Sequence, residues 1–166
     1  PCGRDQSEVP EMSEVKVNKV SPRSGTDVTL GDGGDTFTVG ADVIQMADNI
    51  VQRPLMKDYA ESVNAIGATG GGTQDIDLTL GNVVTATVDT STNVFTFSNP
   101  PATGKSGSFT LILTNGGSQT VTWPTSVDWA GATAPTLTTA GIDVITFTTI
   151  DAGTIWYGFA AGLDMG

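Results

Sequence analysis

Ser108-Phe109-Thr110-Leu111-Ile112-Leu113-Thr114-Asn115-Gly116-Gly117-Ser118-Gln119-Thr120-Val121-Thr122-Trp123-Pro124 is the stretch on which the fold turns. From Ser108 to Thr114, Phe109, Leu111 and Leu113 alternate with Thr110 and Ile112. That is the period of a strand with one face buried. Asn115-Gly116-Gly117 has the composition of a hairpin turn, where positive φ is needed. The spacing therefore predicts that Gln119 to Trp123 pairs back on Ser108 to Thr114. Pro124 ends that second strand, because it has no N–H for a ladder.

The same grammar extends on both sides. Gln74 to Leu80 alternates and places Ile76, Leu78 and Leu80 on one face. Gly81-Asn82 breaks it, and Val83 to Val88 reads as the next strand. Asp89 to Asn93 is a turn, and Val94 to Phe97 places Phe95 and Phe97 together until Asn99-Pro100-Pro101 stops the run. Downstream, Ser126 to Trp129 is a short strand. Ile142 to Thr149 is long, apolar on both faces and expected at the centre of a sheet. Asp151-Ala152-Gly153 turns the chain into Thr154 to Ala161. About eight strands with regular turn signals predict an all-β fold, an antiparallel β-sandwich of jelly-roll-like type or a small barrel.

Charge divides the chain. Of its 166 residues, 18 are acidic and 7 are Lys or Arg, for a net charge of −11. Residues 69–166 hold one cation, Lys105, and their acids are Asp75, Asp77, Asp89, Asp128, Asp143, Asp151 and Asp164. The other cations lie before residue 69. Gly67-Ala68-Thr69-Gly70-Gly71-Gly72 reads as a flexible hinge. The expected organisation is an arm over 1–52, a neck over 53–68 and a β-module over 69–166. In the arm, Glu14 to Val20, Thr26 to Leu30 and Thr36 to Val39 suggest short strands. From Ala41 the period changes to helical or heptad spacing. Val43, Ile50, Leu55, Tyr59 and Val63 then form a candidate oligomer seam, with Ile66 continuing it and Gly67 as a helix C-cap. A seam this short suits copies packing together, as in a trimeric stalk. The alternative is a linker whose apolar residues dock on the β-module.

Composition excludes much chemistry. Histidine is absent, which removes His-based triads, His-ligated zinc and the commonest general base. Cys2 is the single cysteine, so no intrachain disulfide or CxxC site can form. The acidity argues against nucleic acid and anionic lipid as partners. No apolar run approaches the roughly 20 residues of a membrane span. The opening PCGRDQSEVPEMSE has no apolar h-region, so no secretory signal is expected.

The remaining motifs are weak. Gly104-Lys105-Ser106 ends like a phosphate-binding loop, but that motif requires glycine at position 99, which is Asn. Gly31-Asp32-Gly33-Gly34-Asp35 is a turn rather than a calcium repeat. Asp75 and Asp77 share one strand face, which is the solvent face opposite Ile76 and Leu78. A Ser–Lys dyad would need Lys105, which sits in a Gly/Ser turn. No catalytic residue, metal site or cofactor is expected, and no enzymatic activity. Aromatic side chains are the stronger signal, because they stack on sugar rings and Asp accepts hydroxyl bonds. Trp123 and Trp156 fall within strands and are expected in the core. Trp129, before Ala130-Gly131-Ala132, stands at a loop edge where burial and exposure are both open. Trp129, Asp128 and Tyr157 are the candidate glycan-binding residues.

Further elements acquire meaning in order: Arg53-Pro54-Leu55-Met56-Lys57-Asp58-Tyr59-Ala60-Glu61, Asp75-Ile76-Asp77-Leu78, Gly81-Asn82-Val83, Val121-Thr122-Trp123-Pro124-Thr125-Ser126-Val127-Asp128-Trp129, Thr133-Ala134-Pro135-Thr136-Leu137, Asp143-Val144-Ile145-Thr146-Phe147 and Trp156-Tyr157-Gly158-Phe159. Over roughly residues 53–166 this run resembles the C-terminal β-module of tail-fibre and other surface-appendage proteins of tailed bacteriophages, especially those of marine bacteria. Val15 to Val39 resembles the short β-repeats that precede such modules. The resemblance implies a virion structural protein at the virion surface, made in the host cytoplasm. It implies a homotrimer whose residues 1–52 bind capsid, portal or tail proteins. The module would project outward to a host-surface glycan. The unpaired Cys2 fits assembly in a reducing cytoplasm. A short chain is a departure from long fibres and raises three other possibilities, a head fibre, a capsid decoration protein or a small adaptor. A carbohydrate-binding module of a bacterial surface protein is the alternative from another class.

Overall fold

The computed structural model describes residues 50–166. Val43 and the expected arm strands lie outside the described residues. A division of the chain falls between Pro54 and Leu55, and the architecture below is that of Leu55–Gly166.

Nine strands form among the described residues: β1 (Val63–Ala68), β2 (Gly72–Asp77), β3 (Val83–Thr87), β4 (Asn93–Ser98), β5 (Gly107–Thr114), β6 (Val121–Thr122), β7 (Val127–Trp129), β8 (Ile142–Thr149) and β9 (Trp156–Gly162). The all-β expectation holds. A six-stranded sheet has the order β1-β3-β5-β8-β9-β7, and a three-stranded sheet has the order β2-β4-β6. From β1 to β6 the chain changes sheet at every strand. Each strand then lies parallel to the one two before it, as in β1 with β3 and β2 with β4. Only β5–β8 and β8–β9 pair antiparallel. The expected antiparallel, jelly-roll-like arrangement is therefore corrected to a two-sheet winding closed by an antiparallel hairpin. Alternation specifies a strand and its buried face, but not the direction of its neighbour.

One core lies between the sheets. Phe95 and Ile76 come from the smaller sheet, and Val84, Phe109, Leu111, Leu113, Ile145, Phe147 and Trp156 from the larger. Register explains the fit. Phe109 faces Phe147 across β5–β8, and Leu111 faces Ile145 while its other neighbour is Val84. As expected, β8 is central and Phe109, Leu111 and Leu113 point inward. Leu80 does not join Ile76. It is exposed, because its N–H bonds back to the Asp77 carbonyl in a turn after β2 has ended.

The hairpin expected at Asn115-Gly116-Gly117 is absent. Asn115 adopts the left-handed conformation (φ 56°), and Gly116–Ser118 form a 3-10 turn. The chain then leaves β5, and β6 pairs with β4 in the other sheet. The glycine at 117 serves a close approach. A Cβ there would overlap the Leu137 carbonyl oxygen, while its N–H donates to the Thr138 carbonyl. Gly117→Ala is expected to cost about 2 kcal/mol, in the range for overpacking. A urea midpoint unchanged by that substitution would show that the loop yields freely.

The glycine run after β1 is a corner, not a hinge by structure. Gly70 and Gly71 take positive φ (65° and 82°). The Gly70 N–H donates to Asp89 Oδ1 at 2.7 Å, which ties the β1–β2 corner to the β3–β4 corner. Upstream, no helix forms over 55–66. Val63–Ala68 is an edge strand in which Val63 and Ile66 fall on different faces, so the helical seam reading and the C-cap at Gly67 are corrected. Gly67 instead takes positive φ (79°) beside an irregularity in the β1–β3 register. Two β-branched residues and the offered edge of β3 outweigh a helical pattern with no cap at its start.

Two carboxyls fasten turns. Asp77 accepts from Asn99 Nδ2 (2.8 Å), Thr79 Oγ1 (2.7 Å) and the Thr79 N–H (2.9 Å), and these bonds hold its pKa below the ordinary value of 3.8. Asp151 is lowered in the same way, first by the Ile155 N–H and then by the Thr149 hydroxyl. A lowered folded pKa contributes stability above the unfolded value, lost as pH falls through the folded one. Melting temperature is expected to decline below about pH 4, and Asp77→Asn with Asp151→Asn should flatten that decline. An unchanged acid limb in the double variant would place the acid sensitivity elsewhere.

Candidate functional site

β9 and β7 close the far end of the larger sheet, and this end holds the three expected glycan residues. Register sets Asp128 beside Tyr157 and Trp129 beside Gly158. Side chains alternate across a strand. Asp128 and Tyr157 therefore share the outer face, where Tyr157 is 43% exposed and Phe159 53% exposed. Trp129 turns to the inner face. Its ring lies on Gly158, where a Cβ would meet ring atoms at 2.7 Å. It also packs against Trp123 and Phe147 with ring centroids 5.5 Å and 5.6 Å away. The structure thus brings Asp128 and Tyr157 together and places Trp129 half-buried behind them. A shallow concavity of about 490 Å³ runs around the edge strand β7 and touches all three.

Trp156 is buried in the core as expected. Trp123 is half-buried and stacks on Phe95 at 5.4 Å. Among the other expected seam residues, Ile50 is 88%, Leu55 98%, Tyr59 65% and Val63 55% exposed. Asp75 accepts from the Thr96 hydroxyl (2.7 Å) and the Ser98 hydroxyl (2.6 Å) on the solvent face of the smaller sheet. Among the described residues, no group of three or more His, Cys, Asp or Glu comes together to hold a metal. No helix among them is long and apolar enough to cross a membrane.

A larger cleft, about 610 Å³, opens beside β4 and is lined by Phe97, Pro100, Trp123, Pro124, Ser126 and Trp156 among others. Sequence reasoning did not single it out. The available signal was Pro124, which stops β6 after it has paired with only Asn93 and Val94. The Asn93 N–H donates toward β6, to the Thr120 carbonyl, while the Thr92 and Ser98 carbonyls accept from the β2 side. Backbone polarity alternates along a parallel strand, so Phe97 also directs its backbone groups toward the β6 side, beyond the last ladder pair.

No protein-family model, no curated protein and no solved structure matches the chain.

Proposed function

We propose that this chain is a structural protein of a tailed-phage virion, a short fibre or surface appendage. Residues 1–52 attach it to the particle, and its β-module projects toward a host-surface glycan. One observation carries this reading. β1, which is the end of the 53–68 segment read as a neck, is one edge of the six-stranded sheet, and β7 is the other. The Asp128–Tyr157 surface thus lies at the edge of the sheet away from β1, five strand spacings or about 24 Å across.

Two features support homotrimer formation. Leu55, Tyr59 and Val63 are apolar and exposed in the single chain, and apolar exposure of this kind marks contact surfaces. The outer face of the larger sheet also presents a register row without charge, Val63-Val83-Thr110-Thr146-Phe159. Sheets with parallel pairing are ordinarily covered on both faces. Contact with glycan would fall to Tyr157 and Asp128 on the outer face, with Trp129 supporting them from behind.

Light scattering on the full chain and on a chain lacking residues 1–52 tests the reading. A full-length trimer that becomes a monomer on truncation, or on Leu55→Asp with Tyr59→Asp, supports a trimeric appendage. A monomer throughout overturns it. A monomer that also binds sugar would identify a free carbohydrate-binding module instead.

A further inference from the structure

We infer that the cleft beside β4 is a binding site for a neutral sugar residue, distinct from the Tyr157–Asp128 surface. Charge comes first. None of the side chains lining the cleft is charged. Beside it, Asp75 accepts from Ser98 and Asp77 from Asn99 Nδ2, in a chain of net charge −11. An anionic ligand is repelled there, and a cationic one finds no carboxylate in the lining.

The second observation is an unmet donor. Trp156 is 1% exposed, and its indole N–H has no acceptor among the described residues. Buried indole N–H groups ordinarily find a partner. Asn93 Oδ1 is the one sealed side-chain polar atom without a partner among the described residues, so the Trp156 N–H is not sealed. It lies against Gly153, where a Cβ would approach Nε1 to 3.0 Å, and both residues line the cleft. Nε1 thus stands on the Gly153 side of the cleft, where a guest oxygen or solvent can accept its hydrogen bond.

The rim supplies the rest. Thr122, Thr125 and Ser126 line the cleft, and their hydroxyls bond to no protein group among the described residues. Asn99 uses Nδ2 on Asp77, which leaves its Oδ1 as an acceptor. Trp123 and two prolines add apolar surface. Several hydroxyl partners around an aromatic wall, one buried N–H and no charge match a ligand with many hydroxyls and one apolar face. An extended peptide fits less well. Past the last ladder pair only Phe95 and Phe97 turn backbone groups to the open edge of β4, whereas strand addition draws its affinity from a longer run of main-chain bonds.

The test uses the full chain labelled with ¹⁵N. Its three tryptophans give three indole N–H signals, assigned with Trp→Phe variants. Glucose, galactose and mannose are each titrated to about 100 mM, enough to register a millimolar dissociation constant. The expected result is a saturable shift of the Trp156 signal by at least one sugar, larger than that of Trp129. Thr125→Arg, at an exposed rim position, should weaken it at least about ten-fold by filling the mouth while keeping the fold, which the amide spectrum reports. No saturable shift with any of the three sugars overturns the site. So does an equal shift with glycerol, or a shift produced only by the uncharged peptide acetyl-Val-Thr-Val-Thr-amide. The outcome is independent of assembly: a monomeric chain that gives the Trp156 shift retains this site and loses the trimeric appendage.

Discussion

Phe109→Ala is expected to destabilise the β-module by about 4 kcal/mol, the middle of the range for removing a buried ring. Phe109 is buried in the first half of β5. Its ring stacks on Phe147 at 4.8 Å, and Phe97 and Trp156 meet it edge-on at 4.9 Å and 5.5 Å. Phe97 reaches across from the smaller sheet, so this cluster is where the two sheets are held together. Truncation removes the transfer free energy of the ring, leaves a cavity among rigid neighbours, and forfeits aromatic pairs worth about 0.5–1.5 kcal/mol each beyond area. A domain of this size has about 5–15 kcal/mol in total. Urea unfolding should show a large fall in midpoint, and Phe109→Leu should recover more than half of it. A loss under about 1.5 kcal/mol in Phe109→Ala would mean that the sheets repack without this ring.

Asp143→Ala should cost about 3 kcal/mol, although Asp143 carries no ion pair among the described residues. This carboxyl is fully buried on β8, opposite Leu113. Oδ2 accepts the Thr138 N–H at 2.7 Å, and Oδ1 accepts the Thr138 hydroxyl at 2.6 Å and the Asp164 N–H at 3.2 Å. It therefore binds the loop before β8 and the segment after β9 to one point. Removing it strands donors that cannot all reach water, and an unmet buried group costs about 1–3 kcal/mol. Asp143→Asn keeps one acceptor and should lose less. Hydrogen exchange adds a local readout: the amides of Thr138 and Asp164 should lose protection before those of β5. If both amides keep their protection in Asp143→Ala, the carboxyl is not what holds the two segments.

Local pattern was a good guide to strands and a poor one to their partners. Phe109, Leu111 and Leu113 alternate, and they are buried. Asp75 and Asp77 oppose Ile76 as the pattern required, and they form hydroxyl contacts on the solvent face. The hairpin at Asn115 failed because glycine answers two different needs, positive φ and close approach. At Gly117 the need is the Leu137 carbonyl, which lies twenty residues away in sequence. The helical seam failed because Val63 and Ile66 fit a strand as well as a helix, and the open edge of β3 chose between them. The three candidate glycan residues adjoin in space, yet the pleat sends Trp129 to the face away from Asp128 and Tyr157.

Composition and alternation were enough to establish an acidic chain without histidine, an all-β module, most of its strand positions and most of the side chains that face inward, because burial period and turn chemistry are local properties of the backbone. The parallel winding between two sheets, the burial of Asp143 and the cleft beside Trp156 come from residues far apart in sequence. Their arrangement depends on which strand edge is offered to which, and on where β6 stops and the six-stranded sheet continues alone. Non-local pairing is settled by packing of the whole core, and no single segment carries that information.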